Sequence, residues 1–169
     1  GNYISFVSTR DGLSQVYVMN SDGTNVVKLT NNSGNEEFEY PHISLDNQKV
    51  VYTKRVSGGP RDVWMMNIDG SNPVNLTNKP YDVTDPAFSP DGRHIVYADT
   101  AITVIDTMGT VVVTYGGYAV GSREPSWSPD GSRITFHSAP PTEIYVVYVD
   151  GSLELELPTS TQFDGAPYW

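Results

Sequence analysis

The sequence predicts an all-β fold made of four similar units, and three observations carry that expectation. The same order of short β-branched and aromatic runs returns four times along 169 residues. Turn-forming residues, chiefly Asp-Gly and Ser-Pro-Asp-Gly, separate the runs. No window keeps apolar residues at helical spacing. A unit of about 43 residues holding four strands has the size of a propeller blade, which cannot bury both faces alone and must stack on neighbours. The expected architecture is a β-propeller of four four-stranded blades, a single domain over residues 1–169, with the ring closed by pairing of the N- and C-terminal strands.

The elements are justified in chain order. The opening run is Ile4-Ser5-Phe6-Val7-Ser8, with counterparts at residues 50–54, 95–99 and 134–138, spaced by 46, 45 and 39 residues. The next run, Val16-Tyr17-Val18-Met19-Asn20, returns at residues 63–67, 102–106 and 144–148. A turn follows it: Asp22-Gly23, Asp69-Gly70, Met108-Gly109 and Asp150-Gly151. A short outer run comes next, clearest as Lys28-Leu29-Thr30-Asn31 and Asn75-Leu76-Thr77-Asn78. The unit closes on a Pro-led strand: Pro41-His42-Ile43-Ser44, Pro86-Ala87-Phe88-Ser89, Pro125-Ser126-Trp127-Ser128 and Pro167-Tyr168-Trp169. In the Ser-Pro-Asp-Gly turns Pro presets φ, Asp caps with its side chain and Gly takes the left-handed position. At Leu45-Asp46-Asn47-Gln48 that motif has decayed, and Asn47 is the residue able to tolerate a left-handed conformation. The aromatics Phe88, Trp127 and Trp169, with Ile43 as the weak copy, are expected to pack between blades.

The ends of the chain fit one turn. Gly1 precedes Ile4 by three residues, as Gly92 precedes Ile95 and Gly131 precedes Ile134. Trp169 matches Trp127, the residue just before Ser-Pro-Asp. The last strand therefore belongs with the opening unit, and a blade shared between the termini hides the edge strands of a ring. A monomer is the favoured state. The alternatives are part of a larger ring, or two chains pairing end to end into one eight-bladed ring.

The run Pro86-Ala87-Phe88-Ser89-Pro90-Asp91-Gly92-Arg93-His94-Ile95-Val96-Tyr97 resembles the TolB-like propeller repeat, as do Trp64-Met65-Met66-Asn67-Ile68-Asp69-Gly70-Ser71-Asn72 and Leu76-Thr77-Asn78. The same blades resemble those of dipeptidyl-peptidase-like and tricorn-like propellers. The resemblance covers the whole chain, best in the second unit and least in the third, which has Met108-Gly109 and Val111-Val112-Val113-Thr114 at the motif positions. It implies a periplasmic or extracellular protein that docks a protein partner on one face of the disc. Such propellers usually have six units and an additional α/β domain, where this chain has four units.

Composition narrows the function. Twenty acidic against ten basic residues give a formal charge of −10, which repels phosphate backbones and makes nucleic acid an unfavourable partner. No apolar run approaches the length of a membrane-spanning helix, so no membrane insertion is expected. The absence of cysteine removes disulfides, thiol nucleophiles and thiolate metal sites. There is no Gly-x-Ser-x-Gly elbow, and no catalytic constellation emerges, so the chain is expected not to be an enzyme.

Candidate site residues gather where one unit crosses to the next. Acidic residues precede the Pro-led strands: Glu36, Glu37 and Glu39 before Pro41, Asp82 and Asp85 before Pro86, Glu124 before Pro125, and Asp164 before Pro167. In a closed ring these crossings meet at one mouth of the channel, where converging carboxylates repel one another unless a cation lies between them. Asp82, Asp85, Glu124 and Asp164 are the candidate metal ligands, with Ca²⁺ as the hard-oxygen choice, and a solvated acidic rim is the plainer alternative. Arg123 beside Glu124 would neutralise part of that rim. Tyr40, Tyr81, Tyr115, Tyr118 and Tyr168 fall at or near the crossings, and His42 shares its repeat position with Ala87, Ser126 and Tyr168. Tyr40, His42, Asp85, Arg123, Glu124 and Tyr168 form the expected partner-binding set, since tyrosines give rigid contact area. The leading function is a non-enzymatic scaffold binding a protein or peptide through its crossing loops. The alternative is a small-ligand or carbohydrate-binding propeller with a cation at the mouth.

Overall fold

The computed structural model describes residues 1–116, 123–138 and 144–157, the last five as backbone. Among them are fifteen strands and no helix. The chain divides into two units, residues 1–86 and 87–169.

Unit 1 holds two antiparallel sheets. The first has three strands in the order β1 (Tyr3–Ser8), β2 (Gln15–Asn20) and β3 (Val27–Lys28). The second has four, β4 (Glu36–Ile43), β5 (Lys49–Val56), β6 (Arg61–Asn67) and β7 (Val74–Asn75). The register is set by the expected runs: Ile4 faces Met19, and Val50 faces Met66. Between the sheets lies an apolar layer. Val16, Val18 and Leu29 of the first meet Phe38, Val50, Tyr52 and Met66 of the second. Each such fully buried side chain contributes about 1.5–3 kcal/mol relative to exposure.

A third sheet, β8 (Thr84–Phe88), β9 (His94–Ala98), β10 (Ile102–Asp106) and β11 (Val111–Tyr115), begins at the boundary and belongs mainly to unit 2. The fourth runs β12 (Arg123–Trp127), β13 (Arg133–His137), β14 (Ile144–Tyr148) and β15 (Leu153–Leu157). Their shared core joins Val96, Ile102 and Val104 to Trp127, Ile134 and Phe136. The Trp127 indole N–H donates to the Ala87 carbonyl at 3.2 Å, so this aromatic both fills and pins the layer, as the repeat position implied.

Three expectations need correcting. The Leu-Thr-Asn run is not the outer strand. A two-residue strand precedes it, and the threonine hydroxyl then takes over from backbone pairing. Thr77 Oγ1 accepts from the Val63 N–H at 2.9 Å and donates to Asp62 at 2.7 Å. Thr30 does the same with the Val16 N–H and Gln15. The third sheet lacks this threonine plug and pairs its outer strand over five residues instead. Second, the innermost strands begin before their prolines, at Glu36, Thr84 and Arg123, and in β4 and β12 a bulge accommodates the missing N–H. Third, the Met108-Gly109 turn is not short of its aspartate. Asp106 accepts from the N–H groups of Met108 and Thr110 at 2.8 and 2.9 Å, two residues earlier than the sequence pattern placed it.

The turns otherwise follow their chemistry. Ser44, Ser89 and Ser128 each donate to the aspartate two residues on, at 2.6 Å. Gly92 and Gly131 sit at φ +71°, and Asn47 takes φ +59° in the decayed copy.

Candidate functional site

In unit 1 two kinds of loop share one end of the sheets. The β1–β2 loop (9–14) meets the crossing into β4, where the Asn32 amide donates to the carbonyls of Ser14 and Glu36 at 3.0 and 2.6 Å. Ser14 Oγ donates to the Phe38 carbonyl at 3.2 Å. The β5–β6 loop is tied to the same crossing by the Ser57 N–H, which donates to the Asn35 carbonyl at 2.7 Å. The next crossing is tied to β6 in turn, the Arg61 N–H donating to Asp82 at 2.9 Å and the Val83 N–H to the Arg61 carbonyl at 3.1 Å. These bonds turn connecting segments into a rigid crossing end.

That end carries an ion network. Arg61 Nε donates to Glu39 at 2.6 Å, and its Nη1 donates to Asp82 Oδ2 at 2.9 Å. Arg55 Nη2 reaches the same oxygen at 2.7 Å. Glu37 stands 3.8 Å from both guanidinium groups. On the Phe38 side, Lys54 pairs with Glu36 at 2.5 Å and lies 4.7 Å from the Trp64 ring centroid. Burial raises the Asp82 pKa, but the Arg61 N–H and the two guanidinium charges outweigh it and hold the carboxyl below its ordinary value. Asp82, expected as a metal ligand, is thus engaged by protein cations.

The innermost strands share a second feature. Tyr40, Asp85 and Glu124, each just before a proline, adopt φ of +50°, +54° and +53°. The left-handed region costs a non-glycine residue about 1–2 kcal/mol. Pairing slips beside two of them, between Glu39 and His42 and between Arg123 and Ser126. A bulge of this kind re-aims a side chain out of the strand's alternation.

The remaining expected residues fall as follows. Tyr40 and His42 lie exposed on β4. Asp85 is half-buried on β8 and accepts from Thr84 Oγ1 at 2.9 Å. Arg123 and Glu124 are exposed on β12, with Glu124 3.5 Å from His137 Nε2. Tyr40, His42 and Asp82 belong to unit 1, and Arg123 and Glu124 to unit 2. Asp164 and Tyr168 lie outside the described residues. Among the described residues no three His, Asp or Glu side chains are grouped to hold a metal ion.

Arg55 and Arg61 are the members of this ion network that sequence reasoning missed. Their signal was positional: Arg55 is the last residue but one of β5 and Arg61 the first of β6, which puts both at the crossing end beside Glu37, Glu39 and Asp82. Between residues 34–37 and 55–59 the network borders an open cleft of about 450 Å³.

Repeated antiparallel sheets with a charged crossing end define a propeller-type protein. The TolB beta propeller domain family matches residues 1–111, and the chain belongs to that family. No curated protein sequence matches it. Among solved structures it is similar to TolB from Acinetobacter baumannii, with a TM-score of 0.75 and 18% identity, over 94% of this chain and 41% of that one. A structure assigned as TolB from Agrobacterium tumefaciens gives 0.77 and 21%, over 93% and 61%. A chain of a nidogen/laminin complex gives 0.69 and 13%, over 92% and 60%. This chain thus spans less than two thirds of the length of these structures, and at such identities the likeness is one of fold. No helix among the described residues is long and apolar enough to cross a membrane.

Proposed function

We propose that this chain is a non-enzymatic propeller scaffold that docks a protein or peptide partner on its crossing-loop end. The observation that carries the reading is the difference between the two ends of unit 1. The crossing end presents charged side chains on loops that are braced to the strands by hydrogen bonds, and loops on a rigid scaffold are where binding residues concentrate. The opposite end consists of tight turns, each closed on its own aspartate: Asp22 with Thr24, Asp46 with Ser44, and Asp69 with Ser71. That one matched structure is a complex of two proteins, nidogen and laminin, supports a binding role for such a propeller. Membership of the TolB family supports a periplasmic or extracellular setting.

The proposal includes a four-bladed ring closed by the terminal strands. The edge of the first sheet favours it. Ile4 is 41% exposed, whereas Val50, Ile95 and Ile134 at the same repeat position are fully buried. An edge strand with exposed apolar residues needs a cover, and the repeat register assigns residues 165–169 to it.

A photo-crosslinking amino acid placed at Leu13, on the crossing end, or at Leu45, on the opposite end, tests the docking reading, since both side chains are well exposed. In cells producing the protein, the reading expects one defined crosslinked protein from the Leu13 position and none from Leu45. Equal yields from both positions, or none from either, would overturn it.

A further inference from the structure

Within the proposed docking end, on which this inference rests, we propose that the cleft between residues 34–37 and 55–59 receives a cationic side chain, arginine or lysine, from the partner. The first ground is charge matching. Glu36, Glu37, Glu39 and Asp82 are four carboxylates sharing three cations, Lys54, Arg55 and Arg61. Geometry singles out the one left over. Glu36, Glu39 and Asp82 each have a cationic nitrogen within 2.7 Å, whereas Glu37 has its two guanidinium neighbours at 3.8 Å and makes no hydrogen bond among the described residues. Its side chain is 57% exposed and lines the cleft. A fourth cation placed there completes the network with charge-assisted hydrogen bonds, the stronger kind.

The second ground is the shape and lining of the cleft. Its volume, about 450 Å³, is ample for a side chain. Gly34 and Gly58 form part of the wall at φ +108° and +74°, with open space where a Cβ would stand, so a partner backbone approaches without obstruction. Ser57 Oγ offers a second acceptor, since it has no hydrogen bond among the described residues. Among the described residues no aromatic side chain lines the cleft, so they offer no stacking platform of the kind a sugar would use. The net charge of −10 draws cations in and repels anions.

The test is an amide NMR titration of the whole chain with three blocked tripeptides, acetyl-Gly-Arg-Gly-amide, its lysine analogue and its neutral glutamine analogue. The inference expects saturating shift changes confined to residues 34–37 and 55–59, with the charged peptides alone. Glu37→Gln weakens this binding at least tenfold, and Glu37→Asp, which keeps the charge but shortens its reach, weakens it several-fold. Shifts scattered over the acidic surface, or binding unchanged in Glu37→Gln, would overturn the cleft as the site. If crosslinking through Leu13 then persists, the docking end stands and only the cleft falls. If that crosslinking is absent as well, both fall.

Discussion

Thr77 shows how much one hydroxyl organises. Its oxygen accepts the Val63 N–H, which the two-residue β7 leaves without a strand partner, and its proton goes to Asp62. Asp62 also accepts from the Lys79 N–H at 3.2 Å, so strand end, plug and crossing are fixed by one carboxylate. Replacing Thr77 by Val keeps the shape and strands a buried donor, a loss of about 1–3 kcal/mol. Denaturant unfolding of Thr77→Val is expected to show that loss. Thr30→Val, whose partner is the neutral Gln15, is expected to lose less. The sequence displayed Leu-Thr-Asn twice, but its strand-like composition concealed that the threonine ends a strand rather than extending one. Arg55 and Arg61 were equally hard to place. A basic residue near a strand end reads as solvated until the register brings it against specific carboxylates.

Elements follow the same logic of local chemistry fixing position. The Ser-x-Asp turns were legible because proline, aspartate and glycine each have one job in them. Asp130 accepts from Ser128 Oγ at 2.6 Å and from the Ser132 N–H and hydroxyl at 3.0 and 2.8 Å, and these bonds pull its pKa down to about 2. Asp22, Asp46, Asp69, Asp91, Asp106 and Asp150 are lowered for the same kind of reason. A carboxyl whose folded pKa lies below its unfolded value stabilises the fold above about pH 4, and that stability is lost as pH falls towards 2. Thermal midpoints are therefore expected to hold steady down to about pH 4.5 and to fall steeply below pH 4. Asp130→Asn is expected to be less stable at neutral pH and to show a shallower acid decline. An equal decline in both proteins would contradict the turn mechanism. The left-handed backbone at Tyr40, Asp85 and Glu124, with the bulges beside Tyr40 and Glu124, was not legible. Proline was read as the start of each inner strand, whereas the strand runs through it, and the residue before it carries the left-handed backbone.

For the whole molecule, the repeat was the most readable feature, because spacing and turn chemistry survive where individual residues drift. The paired sheets and the inter-sheet place of Trp127 followed from it, and the TolB propeller family match agrees. The crossing end was legible only as a concentration of acidic residues. Its pairing with arginines, and the single carboxylate that pairing leaves over, depend on side-chain geometry that no spacing encodes. The docking reading needs the crossings gathered on one face, and the proposed closed ring gathers them. Hydrogen exchange at the amides of β1 tests this directly, in the whole chain and in one ending at residue 164. The account predicts that β1 amides facing away from β2 are protected in the whole chain, independently of protein concentration, and exchange rapidly in the shortened one. Rapid exchange of those amides in the whole chain, or protection that appears only at high concentration, would contradict it.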